Sequence, residues 1–122
     1  MAKRKIIIAG GRDFNDYKLL KQKCDYLLSK VVEAGDEIII VSGQTRGADL
    51  LGEKYAYEKD YKINKYPANW KMYGKKAGYI RNEQMAKASH ALIAFWDGES
   101  KGTKHMIDLA VKYNLKVRIV EY

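Results

Sequence analysis

The chain of 122 residues is 47% apolar, has a formal charge of +8 and holds one cysteine, Cys24. That length suits a single domain over residues 1–122, burying roughly two-thirds of its unfolded surface and leaving no room for a second. One cysteine excludes an internal disulfide and fits a cytoplasmic location, and no apolar run is long enough to span a bilayer, so no membrane partner is expected.

Basic residues precede the run Ile6 to Ala9, which is too short for the core of a signal peptide and reads as a first strand, Lys5 to Ala9. The chain leaves it through Gly10-Gly11-Arg12-Asp13. A helix over about 16–34 follows, with Leu20, Cys24, Leu27 and Val31 on one stripe and Gly35 as its stop. Glu37 to Val41 is the second strand, and Ser42-Gly43-Gln44-Thr45-Arg46-Gly47-Ala48-Asp49 leads into a helix from about 46 that turns Ala48, Leu51 and Tyr55 inward. Lys62 to Tyr66 is the third strand, followed by Pro67-Ala68-Asn69-Trp70. The third helix, about 75–89, points Ala77, Ile80 and Ala88 inward and carries Arg81-Asn82 about two turns from its start. Ala91 to Trp96 leaves through Asp97-Gly98-Glu99-Ser100-Lys101-Gly102-Thr103 into a helix over about 101–113 with Met106, Ile107 and Ala110 inward, and Lys116 to Val120 is the last strand.

Strands alternating with helices are the pattern of βαβ units, and the continuous apolar runs IIIA, IIIV and ALIAFW suit strands covered on both faces. The predicted fold class is therefore α/β, a Rossmann-like three-layer α/β/α sandwich on a mainly parallel sheet of about five strands.

In such sheets ligands sit outside the carboxyl ends of the strands, where the strand order reverses. Three strand exits rich in glycine and polar residues should share that edge. Gly10, Gly11, Gly43, Gly47, Gly98 and Gly102 would let backbone approach a phosphate, with Ser42 and Thr103 beside them. Arg12, Arg46 and Arg81 would be counter-charges, and Asp13, Asp49, Asn82 and Asp97 would read polar groups or orient the arginines. Asp49 has a second reading, an internal ion pair with Arg46 one turn away. His105 is placed either beside a ligand or on the surface. None of the three exits is a P-loop or a dinucleotide fingerprint. No residues have metal-ligand spacing, and no cofactor is implied.

Residues 54–81 hold eight Lys or Arg against two acids, with Tyr55, Tyr57, Tyr61, Tyr66, Trp70, Tyr73 and Tyr79 among them. Interleaved aromatics and cations can stack bases and follow phosphates of single-stranded nucleic acid. The competing reading packs Tyr55, Tyr66 and Tyr79 into the core and leaves Trp70 to wall the pocket or stack on a base.

The ordered set IIIAGGRDF, VSGQTRGAD, YPANW, YGKKAGYIRNEQM and ALIAFWDGESKGTKHMIDLA resembles the YspA-type branch of the SLOG superfamily over nearly the whole chain. The resemblance implies a domain that binds a nucleotide or nucleotide derivative, as sensor or processing enzyme in a bacterial or phage setting, and by analogy a homo-oligomer. VSGQTRGAD also looks like a stretch of the DNA-processing Smf proteins, which bind single-stranded DNA, through Ser42, Gly43, Arg46, Gly47 and Asp49. DGESKGTKHM is similar to the phosphate loop of Lonely Guy phosphoribohydrolases at Gly98, Gly102 and Thr103, which implies hydrolysis of a nucleotide N-glycosidic bond as an alternative activity. His105 and Met106 stand where that family has its catalytic glutamates, so no residue is assigned a catalytic role.

Overall fold

The computed structural model describes residues 2–122. Five strands, β1 (Lys3–Gly10), β2 (Glu37–Ser42), β3 (Lys62–Lys65), β4 (Ala91–Trp96) and β5 (Lys116–Glu121), form one sheet in the order β3-β2-β1-β4-β5. Every pairing is parallel, so the sheet is wholly rather than mainly so. The long helices are α1 (Tyr17–Glu33), α2 (Ala48–Lys59), α4 (Ala77–Ala88) and α5 (Lys101–Lys112). A one-turn helix α3 (Trp70–Tyr73) and a 3₁₀ turn (Gly74–Lys76) precede α4.

Strand side chains alternate between two cores, as a period of two requires. Ile6 and Ile8 of β1, Ile38 and Ile40 of β2 and Ile93 and Phe95 of β4 join Leu20, Cys24 and Leu28 of α1. Ile7, Ala9, Val41, Leu92 and Ala94 face the other way onto Met85 and Ala86 of α4 and Met106, Ile107 and Ala110 of α5. β1 is shared by both layers, which accounts for its unbroken apolar run. Cys24 is enclosed in the first core, where burial pushes its thiol up to about 12 and makes it a small hydrophobe.

Several predicted inward positions shift. Leu28 rather than Leu27 joins Leu20 and Cys24 as the buried residues of α1, and Leu27 and Val31 are half-buried at its rim. In α4 the buried face is Ala77, Arg81, Asn82, Met85 and Ala86, with Ile80 and Ala88 only half-buried. Two polar residues thus occupy positions that a periodicity count gives to apolar ones. Tyr55 is in the first core and Tyr66 packs at the margin of the second, but Tyr79 is exposed.

α2 lies unusually close to β1. A Cβ on Gly52 would come within 2.8 Å of both Cβ and Cγ2 of Ile8. Gly52→Ala gains helix propensity of about 1 kcal/mol yet should destabilise the protein by about 1–3 kcal/mol, because a branched side chain in a packed core cannot retreat. Thermal unfolding reads this directly, and an unchanged or raised melting temperature would refute the close packing.

Candidate functional site

Between β1 and β4 the strand order reverses: the chain goes from β1 out to β2 and β3, then crosses to β4 and β5. The loops leaving β1 and β4 therefore diverge to opposite layers and open a crevice at their ends. A cavity of about 320 Å³ lies there. Of the residues expected at a site, Gly10, Gly11, Arg12, Asp13, Asp49, Arg81, Asn82, Asp97, Gly102 and Thr103 line it.

The other expected residues lie elsewhere. Ser42 is buried beneath the cleft and donates its hydroxyl to Glu53 Oε2 at 2.7 Å. Gly47, at φ 87°, sits at the N-terminus of α2 against the backbone of Gly11 and Arg12, where a Cβ would collide with both carbonyl oxygens. Gly98, at φ 85°, shapes a turn in which Asp97 Oδ1 accepts the N–H groups of Glu99 and Ser100 at 2.9 and 2.8 Å. Those bonds, Ser100 first, hold the Asp97 carboxyl below its usual range. Arg46 has a side chain 73% exposed and pairs with Asp13 at 3.5 Å, outside the cleft lining. The Arg46–Asp49 pair does not form, because Asp49 turns inward. Trp70 is 53% exposed and stands by Gly78 rather than walling the cavity.

Arg81 and Asp49 are the buried charges of the cleft, 8% and 5% exposed. Arg81 lies one turn into α4, not two, because residues 70–76 form their own short turns before it. Its Nη1 donates to the Gly43 carbonyl at 2.5 Å and its Nε to Asn82 Oδ1 at 3.0 Å. Asp49, in the first turn of α2, accepts the Thr45 hydroxyl at 2.8 Å. A Cβ on Gly43 would lie 2.8 Å from both Arg81 Nη1 and Asp49 Oδ2, so the two groups crowd the bare Cα of residue 43. They feel each other's field without closing an ion pair. Burial lowers the Arg81 pKa, countered by Asp49 and aided by Arg12. Burial likewise dominates at Asp49, pushing it from 3.8 up to about 6 against the pull of Thr45, of Arg81 and of the Gly10 N–H.

Asn82 Nδ2 reaches the Gly102 carbonyl at 3.4 Å and His105 Nδ1 at 3.1 Å. With Asn82 Oδ1 accepting from Arg81, Nδ2 can only donate, so His105 accepts at Nδ1 and carries its proton on Nε2. Its ring meets Tyr79 edge-on at 4.6 Å, and burial lowers its pKa. His105 is therefore a structural group behind Asn82, outside the cavity lining. At the start of α5, Ser100 caps the Thr103 N–H at 3.4 Å.

Sequence reasoning missed Thr45, Ser100, Met85, Met106 and Tyr122 as lining residues. Ser100 had a signal in the Ser-x-x-Thr spacing that marks a helix cap. Tyr122 had none, since only the pairing of β5 with β4 brings it beside Gly11 and edge-on to Phe14 at 4.8 Å. Among the described residues no group of His, Cys, Asp or Glu could hold a metal ion, and no helix is long and apolar enough to cross a membrane.

A wholly parallel sheet in this order, with a cleft at its reversal point, defines a Rossmann-like domain. The chain belongs to the YspA, cpYpsA-related SLOG family, whose model matches residues 4–73. It is 29% identical over 120 residues to the Gene 61 protein of Mycobacterium phage D29, covering 93% of this chain and 94% of that protein. Among solved structures it is similar to DNA processing protein A from Helicobacter pylori, which binds single-stranded DNA, with a TM-score of 0.63 and 22% identity. That match covers 98% of this chain and 66% of the neighbour, and at this identity it speaks to the fold.

Folding raises the Asp49 pKa, so the native state holds this proton more tightly than the unfolded chain. The contribution is complete below about pH 4 and is lost as pH rises through about 6. Asp49→Asn cannot titrate there. Relative to this variant, the wild type should lose on the order of 2–3 kcal/mol between about pH 4 and 7, measured by denaturant unfolding. A constant difference between the two proteins would contradict the buried, titrating carboxyl.

Proposed function

We propose that the cleft binds a phosphate-bearing ligand of nucleotide type. The observation that carries this is Arg81, a guanidinium sunk in the cleft wall with no carboxylate closing on it. An anion entering from solvent supplies the missing partner, and a planar guanidinium suits phosphate oxygens. Arg12 adds a second, exposed cation, and the first turn of α5 offers N–H groups at Lys101 and Gly102. Asp97, exposed at the exit of β4 with Oδ1 taken by backbone N–H groups, would accept from a sugar hydroxyl through Oδ2, while Asn82, its amide engaged by Arg81, Gly102 and His105, would hold Arg81 in position. Family membership supports the same reading.

A thermal-shift panel of nucleoside phosphates, ADP-ribose, NAD, cyclic nucleotides and phosphoribosyl compounds tests it. A ligand at about 100 times its dissociation constant adds roughly 2.7 kcal/mol, a shift of several degrees in a domain of this size. Arg81→Met and Arg12→Ala should each weaken the response, whereas Arg46→Ala should leave most of it, since Arg46 faces Asp13 in solvent. A full response in Arg81→Met would remove the cleft from the site.

One observation favours a longer ligand, single-stranded nucleic acid. Arg81 also borders a cavity of about 240 Å³ with Asn69, Tyr73 and Gln84, and Arg12 borders one of about 500 Å³ with Leu50 and Lys54. The two arginines thus stand between successive hollows, with Lys71, Lys75 and Lys76 exposed near one end. Lys59, Lys62 and Lys65 belong less to such a track, because each faces an acid: Asp25, Glu37 or Glu53. This reading predicts that affinity for a short oligonucleotide falls by about 0.7 log units per log of salt for each phosphate held, with Arg12→Ala reducing the slope by about one phosphate. Oligonucleotide binding that ignores salt would end it.

A further inference from the structure

Asp49 is the buried carboxyl of the cleft. Thr45 fixes Oδ2, Arg81 spends Nη1 on the Gly43 carbonyl rather than closing on the carboxyl, and Asp49 lines the same cavity as the guanidinium. An anion seated on Arg81 would therefore lie within the field of this carboxyl. We infer that Asp49 acts as a proton gate on the cleft: protonated, it donates a hydrogen bond to the bound anion, and ionised, it repels it, so that binding takes up a proton. This rests on the anion-binding reading above and adds its regulation.

Arg81 faces Asp49 from α4, Arg12 and Asp13 from the exit of β1, and Asp97 from the exit of β4. Asp97 is held ionised by the N–H groups of Ser100 and Glu99, and Asp13 lies in solvent beside Arg46, away from the buried carboxyl. Glu53, one turn along α2, is bonded to Ser42 and lies 4.0 Å from Lys65, facing away from the cleft lining. His105 titrates nearby behind Asn82 and would bias anion affinity in the same direction, so the test must separate the two. Asp49 alone combines burial, a place in the lining and a pKa near 6. A neighbouring anion favours its neutral form further. By linkage, affinity must rise as pH falls, at most tenfold per pH unit for one proton.

The probe is inorganic sulfate, a dianion with no proton to exchange between about pH 5 and 8, titrated calorimetrically in two buffers of different ionisation enthalpy. The wild type should bind sulfate with an affinity that falls by up to about tenfold per unit above about pH 6, and should take up as much as one proton on binding. Asp49→Asn should bind with little pH dependence, release the proton requirement and exceed the wild type at pH 8. Thr45→Val removes the donor that favours the ionised carboxyl, so its affinity profile should move to higher pH; this variant tests the idea even where Asp49→Asn folds poorly. Glu53→Gln should keep the wild-type slope, and His105→Gln should keep most of it. Sulfate binding with the same slope in wild type and Asp49→Asn, or loss of the slope in His105→Gln alone, would overturn the gate while leaving the anion site standing. No sulfate binding in any of these proteins at any pH would overturn the anion site and the gate together.

Discussion

β1 is paired on both sides by strands that the chain reaches by opposite routes, and the rest of the molecule is arranged around that fact. A parallel strand in this position must be apolar on both faces, which Ile6, Ile7, Ile8 and Ala9 supply. Its exit loop must then pass towards α1 while the exit of β4 passes towards α5 on the other layer. The gap between them cannot be filled by either helix layer. The close approach of α2 to β1 through Gly52, and of Gly47 to the exit of β1, brings the N-terminus of α2 to the same gap and turns Asp49 into it.

What fills the wall of that gap runs against ordinary packing. A helix buried against a sheet should turn apolar residues inward, yet α4 buries Arg81 and Asn82 between Ala77 and Met85. Desolvating a guanidinium costs several kcal/mol, and that cost is recovered internally only when a carboxylate closes on it with good geometry. Here the carboxylate stops short at Gly43, and Arg81 is left with a carbonyl and an amide as its acceptors. Stability alone gives no reason to keep two half-answered charges in a domain of this size. Perturbed groups of this kind facing a cleft are what the proposed anion-binding reading draws on.

How much of this was legible in the sequence differs from residue to residue. The strands and their order of appearance followed from the apolar runs at 6–9, 38–41 and 91–96, because a strand covered on both faces has no other way to look. The edge location of Gly10, Gly11, Asp49, Asp97 and Thr103 followed from the rule that parallel strands present their carboxyl ends together. The inward set of α4 was not legible, since a count of apolar positions selects Ile80 and Ala88 and passes over Arg81 and Asn82, whose burial depends on what they meet across the cleft. Arg46 and Asp49 have a spacing that permits pairing, and only the turn at Gly47 sends them to opposite sides. Trp70 read as a pocket wall because its loop follows β3, but its own short helix, capped by Asn69, holds it outward.

The same geometry bears on the chemistry open to the cleft. The loop after β4 resembles a phosphoribohydrolase loop, in which glutamates after the glycines supply acid and base. At those positions this chain has His105, turned away to Asn82 and Tyr79, and Met106, which presents an apolar wall to the cavity. A thioether cannot move a proton, and a histidine whose Nδ1 is engaged behind the lining cannot reach a reacting sugar. The carboxyls that do reach the cavity come from other elements: Asp13 and Asp97 in solvent, and Asp49 beneath the surface beside a guanidinium. An exposed carboxylate held ionised by backbone N–H groups is a hydrogen-bond acceptor before it is anything else, and a buried one near neutrality responds to charge. In the reading proposed above, recognition coupled to protonation, rather than cleavage in the manner of the hydrolase loop, is the chemistry asked of these residues.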